Sequence, residues 1–163
     1  MKQLLLLRHA EAEPARPGLS DFDRTLTPQG HAQAQAAARR LRQFGVHLDA
    51  LLASPAARAR QTAVIVAAQL HLDAVLLYEP ALYLGAAATV LQPLQHCSAA
   101  ARAVLVVGHN PALSELAREL AGNPPGDEHR FVLATGDLCR IEFEADSWST
   151  LAPAAVRAVT MAR

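Results

Sequence analysis

Gln3-Leu4-Leu5-Leu6-Leu7-Arg8-His9-Ala10 is apolar without alternation from Leu4 until it meets an arginine and a histidine. A strand with one wet face alternates, whereas an unbroken apolar run fits the centre of a parallel sheet covered on both faces. Ala103–Val107 repeats the pattern and also ends on polar residues, Gly108-His109-Asn110-Pro111. Leu48–Ala53 reads as a shorter strand ending at Ser54-Pro55, and Ala74–Tyr78 as a further one. Helical patterns lie between these runs. Thr27 can cap a helix with its hydroxyl, and Pro28 fits the first helical position, where a missing N–H costs nothing. Ala34, Ala37, Leu41 and Phe44 then recur at helical spacing, and Gly45 suits the stop. Ser54-Pro55 repeats the cap-then-proline signal and predicts a helix to about Leu70. Ala86–His96 is expected to be helical despite Pro93. Asn110-Pro111 predicts a helix to Leu120, closed by Gly122. Asn123–His129 reads as loop, and Phe131–Leu133, Leu138–Glu144 and Ser147–Leu151 as late strands, the last two an edge hairpin. The sum is an α/β three-layer sandwich: a mostly parallel central sheet flanked by helices, with late antiparallel edge strands.

The 163 residues are expected to form a single domain, since no repeat or low-complexity linker divides them. Fifteen Lys+Arg balance fifteen Asp+Glu, which disfavours nucleic acid or a membrane surface as partner, because both select a basic excess. Hydrophobic content of 52% disfavours disorder. Lys2 is the only lysine; arginine supplies the rest of the positive charge, as coding bias in an Ala-rich sequence would produce. Cys97 and Cys139 are far apart and form no CxxC, so neither a disulfide framework nor a zinc ribbon organises the fold. No segment is long and apolar enough to span a bilayer, and the four-leucine run is too short for a signal peptide. A cytoplasmic location is the expectation.

Three predicted strand-to-helix junctions carry unusual polar residues: Arg8-His9, Ser54-Pro55-Ala56-Ala57-Arg58 with Thr62, and Gly108-His109-Asn110-Pro111. In open α/β sheets ligands bind beyond the carboxyl ends of the strands, so two His and two Arg distant in sequence can share one crevice. Helix N-termini there favour a phosphate. Singly, each residue has a plainer explanation: a satisfied structural His, a surface Arg58, or Arg8 paired with Glu11 or Glu13. No GxGxxG or GxxxxGK[ST] loop is present to cradle a nucleotide.

Leu7-Arg8-His9-Ala10, Ser54-Pro55-x-x-Arg58-Ala59-x-x-Thr62 and Gly108-His109-Asn110-Pro111, in that order, resemble the motifs of the histidine phosphatase superfamily, to which the cofactor-dependent phosphoglycerate mutases belong. Short length and the Arg24…Leu26-Thr27-x-x-Gly30 segment resemble its phosphohistidine phosphatase branch. The resemblance implies a phosphatase that needs no metal or other cofactor. His9 would be the nucleophile, Arg8 and Arg58 would grip the phosphoryl oxygens, and His109 would complete the pocket. Arg24 and Asn110 would be further substrate contacts. The substrate would be phosphohistidine in a protein. Alternatives are a small phosphorylated molecule, or a phospho-ligand bound without catalysis. Chemically the set is coherent: phosphoryl transfer needs positioning and charge, His is a covalent nucleophile, and the Arg fork holds two oxygens at once. Two departures stand out. Ala10 replaces the usual Gly, costly only if the backbone there has positive φ. Tyr83 occupies the place of the family's acid, leaving Glu79 as a strand-end or rim carboxylate. Loss of the acid suits a P–N bond, whose imidazole leaving group is already protonatable. The loop Glu11–Asp23, with Asp21 among its acids, is expected at the rim of an open site.

Overall fold

The computed structural model of the chain describes residues 1–72, 75–122, 126 and 129–163. Its strands are β1 (Lys2–Arg8), β2 (Ala50–Ala53), β3 (Val75–Tyr78), β4 (Ala103–Gly108), β5 (Leu138–Phe143) and β6 (Val156–Ala162). Its helices are α1 (Pro28–Gln43), α2 (Ala57–Leu70), α3 (Ala81–Leu84), α4 (Ala87–Val90) and α5 (Ala112–Leu120). The strands form one sheet in the order β3-β2-β4-β1-β5-β6. The first four neighbours are parallel, and β5 and β6 complete the sheet antiparallel.

Both faces are covered, which is why the leucine run does not alternate. Leu4 and Leu6 enter a core with Val104, Val106, Leu113 and Leu116. Leu5 and Leu7 point the other way, into a core with Leu105, Val107, Leu41 and Val66. Leu4 to Leu7 have no solvent exposure, and complete burial of each leucine is worth about 1.5–3 kcal/mol. Alanines such as Ala37, Ala38, Ala59 and Ala63 in the second core let α1 and α2 lie close together. Beneath β1, the buried Lys2 ammonium donates to the carbonyls of Ala99 (2.5 Å) and Ala101 (2.7 Å), 5.5 Å over the Trp148 ring. A cation taken out of water needs such partners. No described helix is long and apolar enough to cross a membrane.

Several expected elements take another form. Ser54-Pro55 does not cap α2, which starts at Ala57 with no side-chain cap; the Ser54 hydroxyl accepts from the Ala56 N–H ahead of the helix at 3.3 Å and meets His109 at 2.8 Å. Ala86–His96 is broken into α4 and a 3-10 turn at Pro93–His96, as a proline that lacks an N–H dictates. A Cβ at Gly85 would lie 2.2 Å from the Ala81 carbonyl, so that close turn separates α3 from α4. Phe131–Leu133 is not a strand; Leu133 gives both backbone polar groups to side chains. Ser147–Leu151 contains a 3-10 turn at Trp148–Thr150, and the strand pairing with β5 is β6 instead. Ala74 and most of Asn123–His129 lie outside the described residues.

Candidate active site

Strand register assembles the site. Arg8 of β1 is level with Gly108 of β4, so His9 and His109 each follow a paired residue, and their rings lie 4.9 Å apart. Ala53 of β2 is level with Val107, which puts Ser54 beside the same junction. α2 then delivers Arg58 from its second position. Thr62, a turn further along, ties this helix to the first junction: its hydroxyl accepts from the Ala10 N–H at 3.0 Å and donates to the Arg58 carbonyl at 2.7 Å.

Nδ1 of His9 lies 2.8 Å from the Ala10 carbonyl, which can only accept, so Nδ1 carries the proton. Nε2 keeps its lone pair and accepts from Arg58 Nε at 3.2 Å. Burial pushes the His9 pKa down to about 4; the Ala10 carbonyl works against this, and the charges of Arg58, Arg8 and Arg24 add to it. His109 stands 2.8 Å from the Ser54 hydroxyl through Nε2 and 3.4 Å from Arg58 Nη2 through Nδ1. Its pKa is pushed down to about 3 by burial, then by His9 and Arg58. Both rings are therefore neutral near pH 7.

The arginines have distinct settings. Arg8 Nη1 donates to the Leu133 carbonyl at 3.0 Å, while its Nε is buried without a partner. Burial lowers the Arg8 pKa, and Asp137 acts in the opposite direction. Glu11 does not take Arg8; its carboxylate accepts from the Thr27 hydroxyl at 2.7 Å. Arg58 is 5% exposed and donates to the Asp21 carbonyl at 2.6 Å and carboxylate at 3.0 Å. Arg24 donates to the same carboxylate through Nε and Nη2, and to the Glu13 carbonyl through Nη1. The Tyr83 hydroxyl donates to Asp21 as well, at 2.9 Å, with its ring edge-on to Phe22 and His109. Arg24, then Tyr83 and Arg58, hold the Asp21 carboxyl well below the usual carboxylate range, against the effect of burial. An internal anion thus sits on the cations expected to receive a phosphoryl group.

Asn110 turns away from this cluster. Its Nδ2 donates to the Leu133 carbonyl at 2.7 Å, and its Oδ1 accepts from the Ser114 hydroxyl at 2.8 Å. Glu79 contributes backbone: its N–H donates to the Ala53 carbonyl and its own carbonyl accepts from Leu82, which sets the turn carrying Tyr83. Ala10 is fully buried against Leu26, Ala34 and Ile65. His71 is the only non-glycine residue with positive φ among the described residues, so Ala10 carries no glycine-like strain. The tight contact instead falls on Gly30, where a Cβ would lie 2.0 Å from the Glu11 carbonyl. Sequence reasoning missed Asp21 as the partner of Arg58, and Leu133 and Ser114 altogether. Asp21 carried one signal, an acid three residues before Arg24; Leu133 carried none.

The chain matches the family model of the histidine phosphatase superfamily (branch 1) over residues 4–82. It is 36% identical over 125 residues, 76% of each chain, to an uncharacterized protein of Picosynechococcus sp.. A solved structure from Nakamurella multipartitia, assigned as a phosphohistidine phosphatase SixA, is 31% identical, with 98% of this chain and 95% of that one covered and a TM-score of 0.82. The protein histidine phosphatase SixA complexed with tungstate is 26% identical, with 99% and 94% covered and a TM-score of 0.75. In sequence, fold and motif order together, the chain belongs to the histidine phosphatase superfamily, resembles its SixA phosphatases, and is a phosphatase.

Proposed function

We propose that residues 1–163 act as one catalytic unit that removes phosphate from phosphohistidine in a protein, through phospho-His9 and without a metal ion. The carrying observation is the His9 tautomer, with Nδ1–H held by Ala10 and the Nε2 lone pair among Arg58, Arg8 and Arg24. Nε2 attacks phosphorus; its bond to phosphorus forms as the P–N bond to the substrate imidazole breaks. Arg58 receives phosphoryl oxygens in place of its present Asp21 partners, and Arg8 receives them while its Nη1 stays on the Leu133 carbonyl. The substrate imidazole, protonated on its other nitrogen, leaves neutral and needs no acid from the enzyme. Water then attacks phospho-His9, inorganic phosphate departs, and Nε2 regains its lone pair.

Two features favour an imidazole leaving group over an alkoxide. Asp21 is ionised and has no proton to give, and Tyr83, whose hydroxyl already donates to Asp21, is made a weaker acid by burial and by that carboxylate. The described stretch between β3 and β4 forms only short helical segments, which suits a residue presented on a protein surface. The test is a trapping experiment. A histidine-phosphorylated protein with labelled phosphate is incubated with the enzyme and quenched. Acid-labile, alkali-stable label should appear on the enzyme, vanish in His9→Ala and survive EDTA treatment. Faster turnover of sugar phosphates would favour the small-molecule reading. Tight phosphate binding with neither label nor turnover would favour a binding module.

A further inference from the structure

We propose that Ser114 is a positioning residue for this reaction, acting on Arg8 through the Leu133 carbonyl; this rests on the reading of Arg8 as a phosphoryl ligand. The Arg8 fork is fixed at Nη1 by Leu133, and its Nε is buried and unpartnered. Its aim therefore depends on where one carbonyl stands. Leu133 lies outside every strand, so no sheet ladder holds its backbone. Side chains hold it instead. The Leu133 N–H donates to the Ser114 hydroxyl at 3.0 Å, and its carbonyl accepts from Asn110 Nδ2 at 2.7 Å. The Ser114 hydroxyl donates in turn to Asn110 Oδ1 at 2.8 Å, which fixes the direction of the amide. One hydroxyl thus bears on both backbone polar groups of Leu133, directly at the nitrogen and through Asn110 at the carbonyl, while the Ala134 N–H in the same peptide as that carbonyl donates to Asp137 at 2.9 Å. The ring closes on α5, the helix that follows His109. The same segment therefore follows one site ring and bears on an arginine of the neighbouring strand.

Buried hydrogen-bonded networks of this kind orient the groups that touch a ligand, and small misplacements are costly in rate. Ser114→Ala removes the hydroxyl and keeps the helix. The readouts are inhibition by inorganic phosphate, kcat and KM, at a temperature where melting shows the variant folded. Phosphate inhibition and kcat/KM should weaken by roughly tenfold or more, with Ser114→Thr restoring most of both. In an Arg8→Ala background, Ser114→Ala should add little, because the two act as a unit. Should Ser114→Ala fail to fold, Asn110→Ala removes the other support of the carbonyl and is subjected to the same comparison. A variant that lowers Tm while leaving phosphate inhibition unchanged would overturn the proposal, as would effects that simply add to those of Arg8→Ala. If Arg8→Ala itself left kcat/KM unchanged, the reading of Arg8 would fall instead.

Discussion

Replacing Arg58 by alanine separates two consequences of one side chain. Arg58 donates to His9 Nε2, approaches His109 Nδ1, and holds the Asp21 carbonyl and carboxylate. Its first role is to stabilise charge on the transferring phosphoryl group. Loss of one such buried donor costs about 3–4 kcal/mol of transition-state stabilisation, roughly a 10²–10³-fold fall in kcat/KM. Its second role is to oppose protonation of both rings. Without that charge, the His9 pKa rises from about 4, yet stays below 6.5 because burial, the larger cause, remains. His9 is a nucleophile only when Nε2 is unprotonated, so the acid limb of the pH profile moves to higher pH. Single-turnover formation of the phosphoenzyme, followed across pH, reads both effects. Arg58→Lys supplies the control: it restores charge, and so most of the acid limb, but not the fork that spans His9 and the phosphoryl oxygens. A rate within tenfold of wild type in Arg58→Ala, or an acid limb that does not move upward, would refute this account.

Acid stability should follow from the two buried neutral rings. Their folded pKa values, about 4 for His9 and about 3 for His109, lie below the ordinary 6.5, so the unfolded chain binds more protons between these limits. Stability is therefore fully present above pH 6.5 and is lost as pH falls toward 4; His9 alone accounts for about 2–3 kcal/mol between pH 7 and 4.5. Denaturant titrations at the two pH values check this, and equal stabilities would count against neutral burial of the rings. Gly30→Ala should force α1 away from the Glu11 carbonyl, costing about 1–3 kcal/mol, a fall in Tm of roughly 3–9 °C. A melting temperature within a degree of wild type would show that the loop gives way freely.

The central strands were legible because an unbroken apolar run with polar residues after it has few other places in a fold. The three motif junctions were legible for the same reason: each follows a strand end, and parallel strands put their carboxyl ends on one side. What stayed hidden depended on partners far away in sequence. Ser54 read as a helix cap because local rules favour it, but His109 takes the hydroxyl from 55 positions further on. Phe131–Leu133 read as a strand from its apolar side chains, yet the Val132 N–H turns back to the His129 carbonyl and the backbone partners of Leu133 are Arg8, Asn110 and Ser114. Asn110 read as a substrate contact from its place in the third motif; both ends of its amide are instead committed within the protein. Asp21 read as one rim acid among several, since nothing local sets it against an arginine of α2. β6 alternates weakly along Val156–Ala162 and gave no pattern that exceeded its surroundings.

Lys2 carries a consequence for the chemistry of the surface. It is the chain's only lysine; the residue is 3% exposed, and its ammonium meets two carbonyls and the Trp148 ring. The folded surface formed by these residues therefore offers no lysine amine to acylating reagents, methyltransferases or ubiquitin-type conjugation. Its cationic side chains are guanidinium groups, whose planar forks suit carboxylate and phosphate partners. Lysine-directed reagents would find no accessible lysine until the protein unfolds, so modification at Lys2 itself is a direct reporter of opening at the β1 end of the sheet.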